Sequence, residues 1–334
     1  MRPSPLCLTL ALAIGLGAGL LPGAAQAQQG AAAAAAAAAT LRPEIAPALQ
    51  AAQKALNDRQ FAQALQHLAQ AEAVPGRTDH ETYLVERMRF LASAGLRDVP
   101  ATLKALEAAL ATGQAEAELR PTLMDQASNA AYALKDYDKT VLWARRALEA
   151  GASGDNTRLR LAQALYLQGQ HPQAAQVLSE LDARQRGAGQ KPGEPQLRLQ
   201  ASNLLKLGDE AGYARVLEDL LQVAPRPELW ADRLARLLKQ PGFDDALTID
   251  LFRLSRRVGA FATAEADVEY ADRALRAGYP GEARRALEAG RRAGRLGPGG
   301  REVPAALADA VERALAADRA AGAPNADELL ARDA

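Results

Sequence analysis

The chain carries three histidines, His67, His80 and His171, and none has a second histidine or a carboxylate four residues away. That spacing is what lets one helix face close a metal site, so no metal ligand set is expected. His171 sits in a turn position where packing accounts for it better than catalysis. The carboxylates most open to a paired acid and base role, Glu107, Glu116, Glu118, Glu218 and Asp219, are interleaved with arginines and read as solvated helix faces. No G-x-S-x-G, Ser-x-x-Lys or H-E-x-x-H occurs. No catalytic residue and no cofactor is therefore assigned, and the chain is not read as an enzyme. A basic stretch, Arg284, Arg285, Arg291, Arg292 and Arg295, has no interleaved aromatics for base stacking and suits a helix C-terminus, which favours cations. What remains is an echo: Gln126-Ala127-Ser128-Asn129 and Gln200-Ala201-Ser202-Asn203 repeat one tetrapeptide. Carboxamides both donate and accept, which suits the backbone of an extended ligand.

The elements that position these groups are helices. The 334 residues are 49% hydrophobic but only 4% aromatic, and no stretch shows the alternation or β-branched content of a strand. Lys plus Arg and Asp plus Glu both number 40, so there is no global field to draw the chain onto nucleic acid, and no nucleic-acid partner is expected. Residues 1–27 have the three parts of a secretory signal: Arg2, an apolar run from Leu6 to Leu21, and the small-x-small step Ala25-Gln26-Ala27. The run is short for a spanning helix and holds Gly15, Gly17 and Gly19, so cleavage after Ala27 is expected, leaving no integral membrane span. The only cysteine, Cys7, leaves with it. The expected location is periplasmic, the alternative being a tether to the inner membrane through an uncleaved segment. Residues 28–43, with their alanine run, read as a tether.

From residue 44 to 296 the chain repeats itself. Lys135-Asp136-Tyr137 precedes Thr140, Ala144 and Ala147. Gln60-Phe61 precedes Ala64 and Leu68, and Gln170-His171 precedes Ala174 and Leu178. Aligning Ala64, Thr102, Thr140, Ala174, Ala214, Ala246 and Ala283 gives intervals of 32 to 40 residues, the period of a helix-turn-helix unit. This register resembles the tetratricopeptide repeat family, with Thr102 and Thr140 departing from its usual alanine. The resemblance implies an all-α, right-handed α-solenoid of about six or seven repeats. The loop around Arg186–Pro195 bulges outward. Beyond the break at Gly297-Pro298-Gly299-Gly300, residues 297–334 are expected to form a linker, a capping helix over Pro304–Arg319 and a terminal helix over Asn325–Ala334. Trp143 is read as an inter-repeat or surface anchor.

The resemblance further implies that first helices line a concave groove and that an asparagine just beyond the small position binds an extended peptide. Asn129 and Asn203 match that position. Gln163 takes it in the intervening unit, with Arg160 a turn before and Tyr166 three residues after, as Tyr132 and Lys206 follow their asparagines. The function expected is a non-catalytic periplasmic scaffold holding a protein or peptide segment of the cell envelope. Two alternatives stay open: an accessory factor for envelope polymer assembly or outer-membrane transport, and a superhelical glycan-acting enzyme.

Overall fold

The computed structural model describes residues 41–260 and 263–321. The signal segment, most of the tether and the helix expected over 325–334 lie outside the described residues. Those described form fifteen α-helices and one 3-10 turn, and the only extended pairing among them is a bridge between Leu296 and Arg301. The chain divides after Thr157 into two compact units, each described by itself.

In the first unit α1 (Ala46–Asn57) pairs with α2 (Phe61–Glu72), α3 (Asp79–Gly95) with α4 (Val99–Ala111), and α5 (Arg120–Ala133) with α6 (Tyr137–Glu149). Each turn between the partners holds three residues, and its middle one, Arg59, Arg97 or Lys135, has φ between 57° and 60°. That left-handed residue lets the next amide reach back around the helix end: Gln60, Asp98 and Asp136 donate to the carbonyls of Ala55, Ser93 and Ala131. These are the C-terminal closures that satisfy orphan carbonyls. Asp98 and Asp136 then cap the following helix through Ala101 and Lys139.

Four residues past each cap, a small side chain is fully or almost fully buried: Ala64, Thr102 and Thr140. The threonines keep the position because their hydroxyls donate to the carbonyls of Asp98 and Asp136, at 2.6 and 2.7 Å, so nothing polar is left unsatisfied. Along α6, Ala144 and Ala147 are completely buried as well, and Gly151 follows the helix end at φ 98°. Arg42, placed in the tether by the sequence, is instead bound to Glu81, and Ile45 beside it is 0% exposed. At Arg42 the anchor is a partner 39 residues away, invisible to local composition.

The second unit continues with α7 (Asp155–Leu167), which crosses the division, and α8 (His171–Gly187). Then come α9 (Glu194–Leu207), α10 (Glu210–Val223), α11 (Pro227–Leu238), α12 (Thr248–Arg257), α13 (Ala264–Arg276), α14 (Pro280–Arg292) and α15 (Ala305–Ala320). Glycines take the left-handed turn position here: Gly169, Gly208 and Gly278. Ala174 and Ala283 are 0% exposed at the small position.

Two members of the aligned set are misplaced. In α10 the position four past the cap Asp209 is Tyr213, 8% exposed, and Ala214 is only half-buried. Ala246 is exposed in the 3-10 turn Asp245–Leu247, which Asp244 caps; α12 begins two residues later, and its fourth residue, Leu251, takes the buried place. For Ala246 the cause is the nine-residue connection between α11 and α12, where the other hairpins use two or three; Ala214 is displaced by the shorter turn Gly208-Asp209, which puts Tyr213 four residues past the cap. After the break, α15 packs on α13 and α14 and buries Leu307 and Val311. The bridge is held by Arg295, whose guanidinium binds Asp267, 1% exposed, at 2.6 and 3.1 Å.

Candidate functional site

The seven residues expected to line a groove fall in both units. In the first, α5 turns Ala127, Ser128, Ala130 and Ala131 inward, which leaves Asn129 exposed on the opposite side. Tyr132, one turn on, is half-buried and packs its ring 6.0 Å from that of Tyr137. Asn129 stands seven residues before the cap Asp136, and the same place is held by Gln53 in α1 and Leu91 in α3, both exposed. One residue of each first helix thus occupies a common register position and remains solvent-accessible.

In the second unit, Arg160, Gln163 and Tyr166 lie half-buried along α7, with the Tyr166 ring edge-on to His171 at 5.2 Å. Lys206 is exposed near the end of α9. Asn203 is placed otherwise than expected. It is 1% exposed, its Nδ2 donates to the His171 carbonyl at 2.9 Å, and its Oδ1 lies 3.1 Å from the His171 Nδ1. The echo is out of register by one residue: Asn203 precedes its cap Asp209 by six residues, so Ser202 occupies the place equivalent to Asn129. That step reflects the shorter turn before α10; within their own helices both asparagines stand four residues before the end and two after a buried alanine, and what closes over Asn203 is the His171 turn it is bonded to.

Of the five acids read as solvated, Glu118 and Glu218 are exposed, but Glu107 and Glu116 are tied to other helices. Glu107 of α4 accepts from Lys139 Nζ at 2.9 Å and from Trp143 Nε1 at 3.1 Å, both on α6. Trp143, 7% exposed, is therefore an inter-hairpin anchor. Glu116 accepts from the Tyr83 hydroxyl at 2.6 Å, and burial together with that acceptor pushes the phenol up to about 12. Glu218 pairs with Arg233 at 2.6 Å. Among the described residues no cluster of histidines, cysteines and carboxylates is arranged to hold a metal, and no helix is long and apolar enough to cross a membrane.

One feature escaped the sequence pattern. Between α10, α11 and α12 lies a cleft of about 360 Å³ walled by Leu221, Trp230, Leu234, Leu237, Leu251 and Leu254. Helix α11 buries only Leu234. Nothing local marked the cleft, since Ala246 aligns with the small positions of the other repeats and yet lies in a 3-10 turn.

Paired helices of ten to seventeen residues, most of them closed by a left-handed turn and locked by a small side chain in the second helix, make the described residues an all-α array of repeated helical hairpins, the fold that the resemblance to the tetratricopeptide repeat family implies. No family model and no curated protein matches the sequence. Among solved structures the chain is similar to the C-terminal part of a TPR repeat-containing protein from Cytophaga hutchinsonii, with 12% identity, covering 80% of this chain and 94% of that one, at a TM-score of 0.44. It is also similar to the TPR2AB domain of yeast Sti1 in complex with pHSP90, with 17% identity, 74% and 90% coverage and a TM-score of 0.37. The apo form of RapI is a third, at 10% identity, 75% and 87% coverage and a TM-score of 0.39.

Proposed function

We propose that the protein is an exported, non-catalytic scaffold of the bacterial cell envelope that holds a protein or peptide segment along its first helices. The observation that carries this reading is Asn129: a carboxamide exposed on a helix whose neighbouring side chains are packed, at a register position that Gln53 and Leu91 repeat. Such a row offers a bound backbone both donors and acceptors, with apolar surface between them. The signal-like segment before residue 28 supports export, and the ties made by Glu107 and Glu116 give those acids structural work.

The test is recovery of partners from envelope extract by the mature chain, compared with Asn129→Ala. Loss of one partner set by at least tenfold supports the reading. Unchanged recovery by Asn129→Ala, with the variant folded by circular dichroism, removes it. Sequencing the N-terminus of the exported protein checks the location: a start at Gln28 in the soluble periplasmic fraction is expected, and retention of residues 1–27 in the membrane fraction overturns it.

A further inference from the structure

The cleft between α10, α11 and α12 is apolar at its floor and charged at one side. Glu218 and Arg233, paired across its edge, also border a trough of about 860 Å³ between α10 and α11. In that trough Arg236 is taken up by Asp232 and Glu210, but Arg215 and Lys239 are exposed and pair with no acid among the described residues. With four cations, Arg215, Arg233, Arg236 and Lys239, against three acids, Glu210, Glu218 and Asp232, the trough keeps one positive charge in excess, and it adjoins the leucine and tryptophan cleft through Glu218 and Arg233. An occupant must bring an apolar anchor with acidic groups next to it. The apolar walls explain the anchor, since removing large aliphatic side chains from water is favourable in proportion to the apolar area buried.

The chain carries one such segment outside the described residues. Asp327-Glu328-Leu329-Leu330-Ala331-Arg332-Asp333 sets a leucine pair between acids. Its reach is adequate. Helix α15 touches α13, and α13 touches α12, a wall of the cleft. Two interaxial steps come to about 20 Å and the ten residues from the packed Val311 to Ala321 add about 15 Å along the helix axis, about 25 Å in all, while the eight residue steps from Ala321 to Leu329 span up to about 28 Å when extended.

We propose that this cleft is a docking site for an acidic segment anchored by paired leucines, and that residues 327–333 of the same chain occupy it. The site lies between the second helices α10 and α12 and uses none of the first-helix residues assigned to partner binding, so the two readings fail separately.

The experiment uses the full chain with Trp143→Phe, which leaves Trp230 in the cleft wall as the reporter. Leu329→Asp with Leu330→Asp is expected to shift Trp230 emission to the red and to speed amide exchange in α11. A synthetic peptide of residues 323–334 added to that variant is expected to bind saturably and reverse the shift. Arg215→Glu with Lys239→Glu, both exposed and harmless to packing, should weaken the peptide about tenfold, and higher salt should weaken it further. Unchanged Trp230 emission in the leucine variant, or no binding of the peptide to it, overturns the proposal. Emission that depends on protein concentration in the parent chain, with dimers in sedimentation, overturns same-chain occupancy.

Discussion

At the scale of single residues the hairpin turns give the sharpest prediction. Lys135 is held at φ 60°, a conformation that costs a residue with a Cβ about 1–2 kcal/mol and costs glycine nothing. Glycine loses about 0.5–1 kcal/mol more chain entropy on folding, so the conformational term wins narrowly. Lys135→Gly is expected to raise stability by about 0.5–1 kcal/mol in urea unfolding, and Gly169, Gly208 and Gly278 already hold the corresponding place. Asn203→Ala goes the other way. It leaves the half-buried His171 carbonyl and ring without their partner, at about 1–2 kcal/mol. A binding assay at native temperature should show the same partners with Asn203→Ala as without it, provided the chain remains folded. The turn chemistry was legible in the sequence, because a charged or glycine turn before Tyr137, Phe61 or His171 marks it locally. The fate of Asn203 was not. Its partner, His171, lies 32 residues away, and nothing in the tetrapeptide itself records that contact.

At the scale of elements, α3 is fixed at its start by a capping box: Thr78 accepts from the Glu81 amide, and the Glu81 carboxylate accepts from the Thr78 amide. The same carboxylate binds the Arg42 guanidinium at 2.9 and 3.1 Å, which ties the segment before α1 to α3. The Arg42 hydrogen bond is the main reason why Glu81 titrates at about 2 rather than near 4.5. Because the native value lies below the unfolded one, the stabilisation is complete above about pH 4.5 and fades as pH falls toward 2. Glu81→Gln should therefore cost stability at pH 7, by about 1–2 kcal/mol, and the gap between variant and parent urea midpoints should narrow steadily below pH 4.5. The existence and order of the helices could be read from small residues at helical spacing. The helix that departs from the pattern, α12, could not: Asp244 caps a 3-10 turn in place of a helix, and the aligned Ala246 consequently lies outside. Ties such as Glu107 to Trp143 and Asp267 to Arg295 were equally invisible, since they join residues 36 and 28 apart in sequence.

At the scale of the whole molecule, a repeat array is as stable as its individual junctions, because each hairpin touches chiefly its neighbours. In the second unit α13 and α14 share a core of Tyr270, Ala271, Ala274, Ala283, Ala286 and Leu287, whereas α11 buries Leu234 alone. Native-state hydrogen exchange should accordingly find α11 the least protected of α9 to α14, and α13 and α14 opening only with the unit as a whole. Protection of α11 equal to that of α13 would contradict this. What such an array does depends on the face it leaves open, and the side chains that pack the hairpins are not available for binding. The most direct measurement places a photo-crosslinking amino acid at position 129, on the exposed side of α5, and in a second protein at position 142, where Leu142 is exposed on α6. Crosslinks to a defined envelope protein from position 129, absent from position 142, are predicted. Equal crosslinking from both positions, or none from 129, would contradict binding along the first helices.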